Sequence, residues 1–235
     1  KHPKAARGKG GRRKKTLYAL TVEAPLDVLS LLLRSWPDAA KEKDDNGQTM
    51  LHYAFTNRLK SNRYNWTHPQ VKEILDVISL LLRSCPDAIK ERDRFGRTPL
   101  YYACAAYRVV PLKAILLLLH TWLETTEENR NSSDLDSMKM YASPEVRDLL
   151  CHVSALLNND VFDPYSNDTV AYFIKIEWWN GVFFAINKHP AITKVFNFHT
   201  NIMADLIYMT GKRCSLRTMW KVIINEQDLL RGAES

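Results

Sequence analysis

The chain is poor in cysteine. Cys85, Cys104, Cys151 and Cys214 are the four in 235 residues, and no two form a CxxC pair. That spacing excludes a zinc knuckle and a thioredoxin-like motif. It fits a fully reduced intracellular protein, cytoplasmic or nuclear. Long apolar runs are also missing. The longest, residues 114–119 (AILLLL), is far too short to span a bilayer. No apolar segment with a cleavage site follows the basic start, so no signal peptide is read. Nor is there a phosphate-binding glycine loop, a G-x-S-x-G, an H-E-x-x-H or a catalytic Cys/His context. These absences argue against an enzyme, and neither cofactor nor metal is expected.

Acidic residues are absent from residues 1–15 (KHPKAARGKGGRRKK), the stretch from Lys1 to Lys15. Eight of the 33 Lys and Arg lie there, which leaves 25 against 26 acidic residues elsewhere. The formal charge of +7 therefore belongs to a tail, read as residues 1–16, and the body is close to neutral. The tail admits several readings: a nuclear-targeting segment, a nucleic-acid arm, a flexible solvated terminus, or the remnant of a cleaved targeting sequence. Gly8, Gly10 and Gly11 argue against a stable basic helix, and no aromatic is interleaved. Phosphate attraction without sequence readout is the most it offers. A chain that opens on Lys1 rather than Met is expected to be a fragment or a processed form.

What is present is a repeat. Residues 27–55 read DVLSLLLRSWPDAAKEKDDNGQTMLHYAF and residues 76–104 read DVISLLLRSCPDAIKERDRFGRTPLYYAC. They match without a gap at about two thirds of positions, far beyond chance. In each copy the apolar triplet (Leu31 to Leu33, Leu80 to Leu82) makes a helix that must bury against neighbours. Pro37 and Pro86 stop that helix, because proline cannot continue the hydrogen-bond ladder. Asp44 to Gly47 and Asp93 to Gly96 then form a turn in which glycine tolerates positive φ. Thr98 followed by Pro99 starts the next helix, a hydroxyl N-cap before a first-turn proline, and Met50 replaces that proline in the first copy.

The stretches DDNGQTMLHYA (Asp44, Gly47, Thr49, Leu51, His52, Ala54) and DRFGRTPLYYA (Asp93, Gly96, Thr98, Pro99, Leu100, Tyr102, Ala103) resemble the ankyrin repeat. Its signature is T-P-L-H-x-A at a period of about 33 residues, whereas the spacing here is about 49. The excess falls mainly in residues 57–69 (NRLKSNRYNWTHP), and Tyr101 stands where histidine is usual. The match covers residues 27–119, with fainter echoes at 183–192 (FFAINKHPAI) and 223–230 (IINEQDLL). The resemblance implies an all-α solenoid of stacked antiparallel helix pairs joined by hairpin-like loops. Its partner-binding face would be loop tips and inner helices. By position that face is Asp45, Asn46, Gln48, Thr56 and Asn57 in one copy, and Arg94, Phe95, Arg97, Ala105 and Ala106 in the next. His52 is implied to be structural, bonded near the turn. The expected function is a protein–protein interaction scaffold with an unknown partner. Nucleic-acid or anionic-surface binding through the tail is the alternative.

Beyond the repeats expected over residues 17–123, a polar loop is read at 124–142 and degenerate repeats or a helical cap over 143–235. Ser143 and Pro144 open a helix to Asn158 with a stripe of Val146, Leu149, Leu150, Val153 and Leu157. A single aromatic helix is read from about Thr169 to Asn187. Its Trp178, Trp179, Phe173, Phe183 and Phe184 serve as core, or as a binding anchor wherever one is exposed. Asp160, Asp163 and Asp168 fail the EF-hand spacing.

Overall fold

The computed structural model describes residues 24–56, 68–105, 110–125, 132–158 and 165–189. Nine α-helices and no strand occur among them, so the described chain is all-α. The chain divides into two compact units, residues 1–150 and 151–235.

In the first unit, α1 (Leu26–Ser35) carries Asp27 in its first turn and Arg34 in its last, which complements the helix dipole. It buries Leu29 and Leu33, an i,i+4 pair, and leaves Leu31 65% exposed. The helix stops at Trp36, whose N–H still reaches Leu32 O at 2.8 Å while its own backbone turns to φ −146°, ψ 79°. Pro37 demands that departure, because its ring disfavours a helical predecessor. One 3₁₀ turn follows, Pro37–Lys41, with Ala39 and Ala40 buried. Cys85 repeats this exit ahead of Pro86 at φ −152°, ψ 86°, with its N–H on Leu81 O at 2.9 Å. So does His189 in the second unit, at φ −130°, ψ 79° and bonded to Ala185 O at 2.8 Å. The echo read at residues 183–192 thus has the same helix-end geometry through His189.

The short helices α2 (Met50–Thr56) and α4 (Pro99–Ala105) are buried on most sides. Met50, Leu51 and Phe55 are nearly inaccessible, and each side chain so buried contributes about 1.5–3 kcal/mol. Between and after them run α3 (His68–Ser84) and α5 (Leu112–Thr125). Helices α2, α4 and α6 (Ser132–Lys139) lie side by side, as do α1, α3 and α5; α2 also packs on α3, and α4 on α5.

Helix α6 corrects the polar loop read at 124–142. Leu135 and Met138, three residues apart, are buried and give a short helix one apolar edge. Arg92 Nη2 binds Asp134 Oδ2 at 2.8 Å, and Arg147 Nε caps Lys139 O at 3.1 Å. The helix expected from Ser143 is present as α7 (Pro144–Asn158), with Ser143 Oγ accepting the Val146 N–H at 3.4 Å. Leu156 is buried while Leu157 is half-buried.

In the second unit the single aromatic helix is two, α8 (Tyr165–Lys175) and α9 (Trp179–Lys188), packed on each other. Glu177 adopts φ 56°; its N–H bonds Ile174 O at 2.9 Å, and the Trp178 N–H bonds Phe173 O at 2.8 Å. This pair of bonds is the Schellman ending, which normally takes glycine. Phe173 and Trp178 are buried edge to face at 4.7 Å, and that contact stabilises the break. Trp179 and Phe184 are half-buried. No helix among the described residues is long and apolar enough to cross a membrane.

Candidate functional site

Two loops in the first unit share one internal wiring. In the first, Asp44 N–H donates to Gln48 O at 2.9 Å and Gly47 N–H to Asp44 O at 3.0 Å. Asp44 Oδ1 accepts the N–H groups of Asn46 and Gln48 at 2.8 and 2.7 Å, and Oδ2 accepts the Tyr53 hydroxyl at 2.9 Å. In the second, Asp93 N–H donates to Arg97 O at 3.0 Å and Gly96 N–H to Asp93 O at 2.9 Å. Asp93 Oδ1 accepts Phe95 and Arg97 N–H at 2.8 and 2.9 Å, and Oδ2 accepts the Tyr102 hydroxyl at 2.6 Å. Only an acceptor-only side chain satisfies all three donors at once, which explains aspartate at this position. Burial alone would push the Asp93 carboxyl up, but the bonds from Tyr102, Arg97 and Phe95 outweigh it and hold the group below its usual range. Tyr53 is pushed up to about 12, by burial and then by its bond to Asp44.

The loops are also joined to each other. Arg94 N–H donates to Asn46 O at 2.9 Å, and Gln48 Nε2 donates to the Tyr102 hydroxyl at 3.0 Å. Lys43 Nζ pairs with Glu91 at 2.6 Å. The fully buried His52 completes the link. Its Nδ1 faces the Thr49 N–H at 3.1 Å and the Thr49 hydroxyl at 2.9 Å, while Nε2 faces Arg97 O at 3.1 Å. An N–H must meet an acceptor and a carbonyl must meet a donor, so the ring is neutral with its proton on Nε2. Burial lowers the His52 pKa, and its hydrogen bond to the Arg97 carbonyl only partly opposes that shift.

Gly47 and Gly96 have the same φ, 76° and 74°, but different surroundings. A Cβ on Gly47 would meet backbone atoms of Asp93 and Arg94 at 3.1–3.3 Å, whereas one on Gly96 meets nothing within 4 Å among the described residues. The second loop covers the first, and no described residue covers its own far side as closely. There lies a cavity of about 370 Å³ lined by Arg92, Phe95, Arg97, Tyr101, Met140 and Tyr141, among others. The Arg94 and Arg97 guanidinium carbons sit 4.7 and 5.3 Å from the Phe95 ring centre. Arg97 also lies 5.2 Å from the Tyr101 ring, which meets Tyr141 edge to face at 5.8 Å.

Of the residues expected to meet a partner, Asp45, Arg94, Phe95 and Arg97 are exposed on these tips, and Asn46 and Gln48 are half-buried. Asn46 gives its carbonyl and Gln48 its amide to the link between loops. Thr56 is half-buried, and its hydroxyl is buried without a hydrogen-bond partner among the described residues. Ala105 is half-buried; Asn57, Ala106 and the Lys1–Lys15 tail lie outside the described residues. Among the motif residues, Thr49, Leu51, His52, Ala54, Thr98, Pro99, Leu100 and Ala103 are buried. Tyr53 was not anticipated from sequence, and Tyr102 was read only as a member of the ankyrin-like stretch, without its bond to Asp93. The available signal was a tyrosine nine residues after the turn aspartate in both copies. Burial pushes the Cys104 thiol up to about 12 and raises Cys85 as well, so neither is poised as a nucleophile. Among the described residues no cluster of His, Cys, Asp or Glu could hold a metal ion. Comparisons with family models, with curated proteins and with solved structures returned no match.

Proposed function

We propose that the chain is a protein-interaction scaffold of the ankyrin type, which holds a partner against its joined loop tips. The observation that carries this reading is the duplicated wiring of the loops together with their cross-links from Arg94 N–H to Asn46 O and from His52 to Arg97 O. Backbone fixed in this way presents Asp45, Arg94 and Phe95 with a smaller ordering cost on binding, and such pre-organisation favours affinity. Arginine and large aromatics are the residues that dominate binding energy at interfaces. The side-by-side rows of helices and the repeated proline exits support a stacked, solenoid-like arrangement in the first unit. An intracellular setting, cytoplasmic or nuclear, goes with the reading.

The test is a combined Asn46→Ala, Arg94→Ala and Phe95→Ala variant compared with the wild-type chain in quantitative affinity capture. The reading requires specific partners to be lost while the thermal unfolding midpoint stays within a few degrees. Undiminished capture by the triple variant would remove the loop tips as the binding face.

A further inference from the structure

We infer that the open groove beyond the second loop takes an extended acidic peptide with an apolar side chain, seated as a further loop would be. This inference rests on the loop-tip reading above and names the partner chemistry of that face. The first loop shows how its neighbour is received: Gly47 lets Asp93 and Arg94 approach closely, and Asn46 O accepts the Arg94 N–H. One repeat later, no described residue lies within 4 Å of a Cβ on Gly96, and no described N–H donates to the Phe95 carbonyl, the counterpart of Asn46 O. An incoming strand-like segment can supply that N–H, as in edge recognition generally.

The side chains specify what the segment carries. Phe95, Met140 and Tyr141 are 59%, 77% and 49% exposed and converge on one cavity, an apolar patch that suits a leucine or an aromatic ring. Arg92 in the same cavity is already paired with Asp134. Arg94 and Arg97 pair with no carboxylate among the described residues and are stacked on Phe95. Arg97 also bonds the Tyr102 hydroxyl, and a guanidinium carries five donors, so both side chains retain donors for a carboxylate. The apolar patch and the two arginines, neither with a carboxylate partner among the described residues, thus ask for one or two acidic residues beside an apolar one. A nucleic-acid strand fits less well. Asp134 lines the groove, Asp45 is exposed on the neighbouring loop, and two arginines do not make a phosphate track.

The experiment pans a random dodecapeptide display library on the full chain and measures the selected peptides by fluorescence anisotropy. The selected set is expected to combine Asp or Glu with Leu, Phe or Tyr. Affinity should fall about tenfold or more in Arg97→Gln. It should fall similarly in Met140→Glu, a change at an exposed position that places a like charge at the groove mouth and leaves folding intact. Leu31→Glu, exposed on α1, is the matched control and should bind as the wild type does. All three variants keep the basic tail, so binding that persists in Arg97→Gln and Met140→Glu does not depend on the groove and overturns the inference. A neutral or basic consensus overturns it, as does failure to select any peptide. So does tighter, Arg97-dependent binding of a fluorescent oligouridine. If partner capture is lost in the loop-tip triple variant but unaffected by Met140→Glu, the groove fails while the loop-tip reading stands.

Discussion

Alanine at Gly47 and at Gly96 should cost different amounts, although the two glycines share a backbone conformation. Positive φ near 75° penalises any residue with a Cβ by about 1–2 kcal/mol, and both substitutions incur that term equally. Only Gly47→Ala meets the second loop: its Cβ would lie 3.1 Å from Arg94 N and 3.2 Å from Asp93 Cα. Those are backbone atoms, so relief means moving the second loop and stretching the bond from Arg94 N–H to Asn46 O. A hydrogen bond of that kind contributes about 0.5–1.5 kcal/mol. Gly47→Ala should therefore be roughly 1 kcal/mol worse than Gly96→Ala. In a chain of this size each kcal/mol moves the unfolding midpoint by about 2–4 °C. Urea unfolding followed by far-UV circular dichroism, with m-values compared, measures the difference. Hydrogen exchange gives a second readout, since the Arg94 amide should exchange faster in Gly47→Ala and unchanged in Gly96→Ala. Equal destabilisation, or a larger loss at Gly96, would refute the close pairing of the loops.

His52 supplies a pH dependence. Its folded pKa lies below the unfolded value of 6.5, so in the interval between them the unfolded chain binds more protons. Stability from this group is complete above pH 6.5 and declines as pH falls below it, by up to about 1.4 kcal/mol per pH unit. Urea midpoints between pH 5 and 7.5 should show this slope in the wild type and lose it in His52→Gln. Tyr102→Phe removes a donor to Asp93 and an acceptor for Gln48, and should destabilise by about 1–3 kcal/mol in the same assay. Glu177→Gly relieves a non-glycine residue at φ 56° and should stabilise by about 1 kcal/mol, visible as a rise in midpoint.

The first unit was legible where the chain repeats itself. Pro37 and Pro86 mark helix ends, and Gly47 and Gly96 mark turns, because each residue type has a local steric effect that needs no knowledge of neighbours. Helix α6 was not legible: Leu135 and Met138 are a thin apolar edge on a polar segment, and burial beside α4 decides its state. The break at Glu177 escaped for a related reason. No glycine or proline announces it, and it is held by the Phe173–Trp178 contact, which is tertiary. At the candidate site the tip positions were readable from spacing, whereas the role of Tyr53 and Tyr102 was not, since a tyrosine in a short helix reads as core. The separate uses of Asn46 and Gln48 depend on which loop lies alongside, and Thr56 turns inward at the end of α2. None of these is a property of the residue alone.

The central claim is that a partner seats on the joined loop tips, and site-specific photo-crosslinking tests it most directly. A photoreactive phenylalanine analogue is placed at Phe95, or at the exposed Leu31 of α1 as the control. The account predicts a discrete crosslinked adduct from position 95, none from position 31, and loss of the adduct when Arg94→Ala and Asn46→Ala are added. Adducts of equal yield from both positions, or an adduct from position 31 alone, would contradict it.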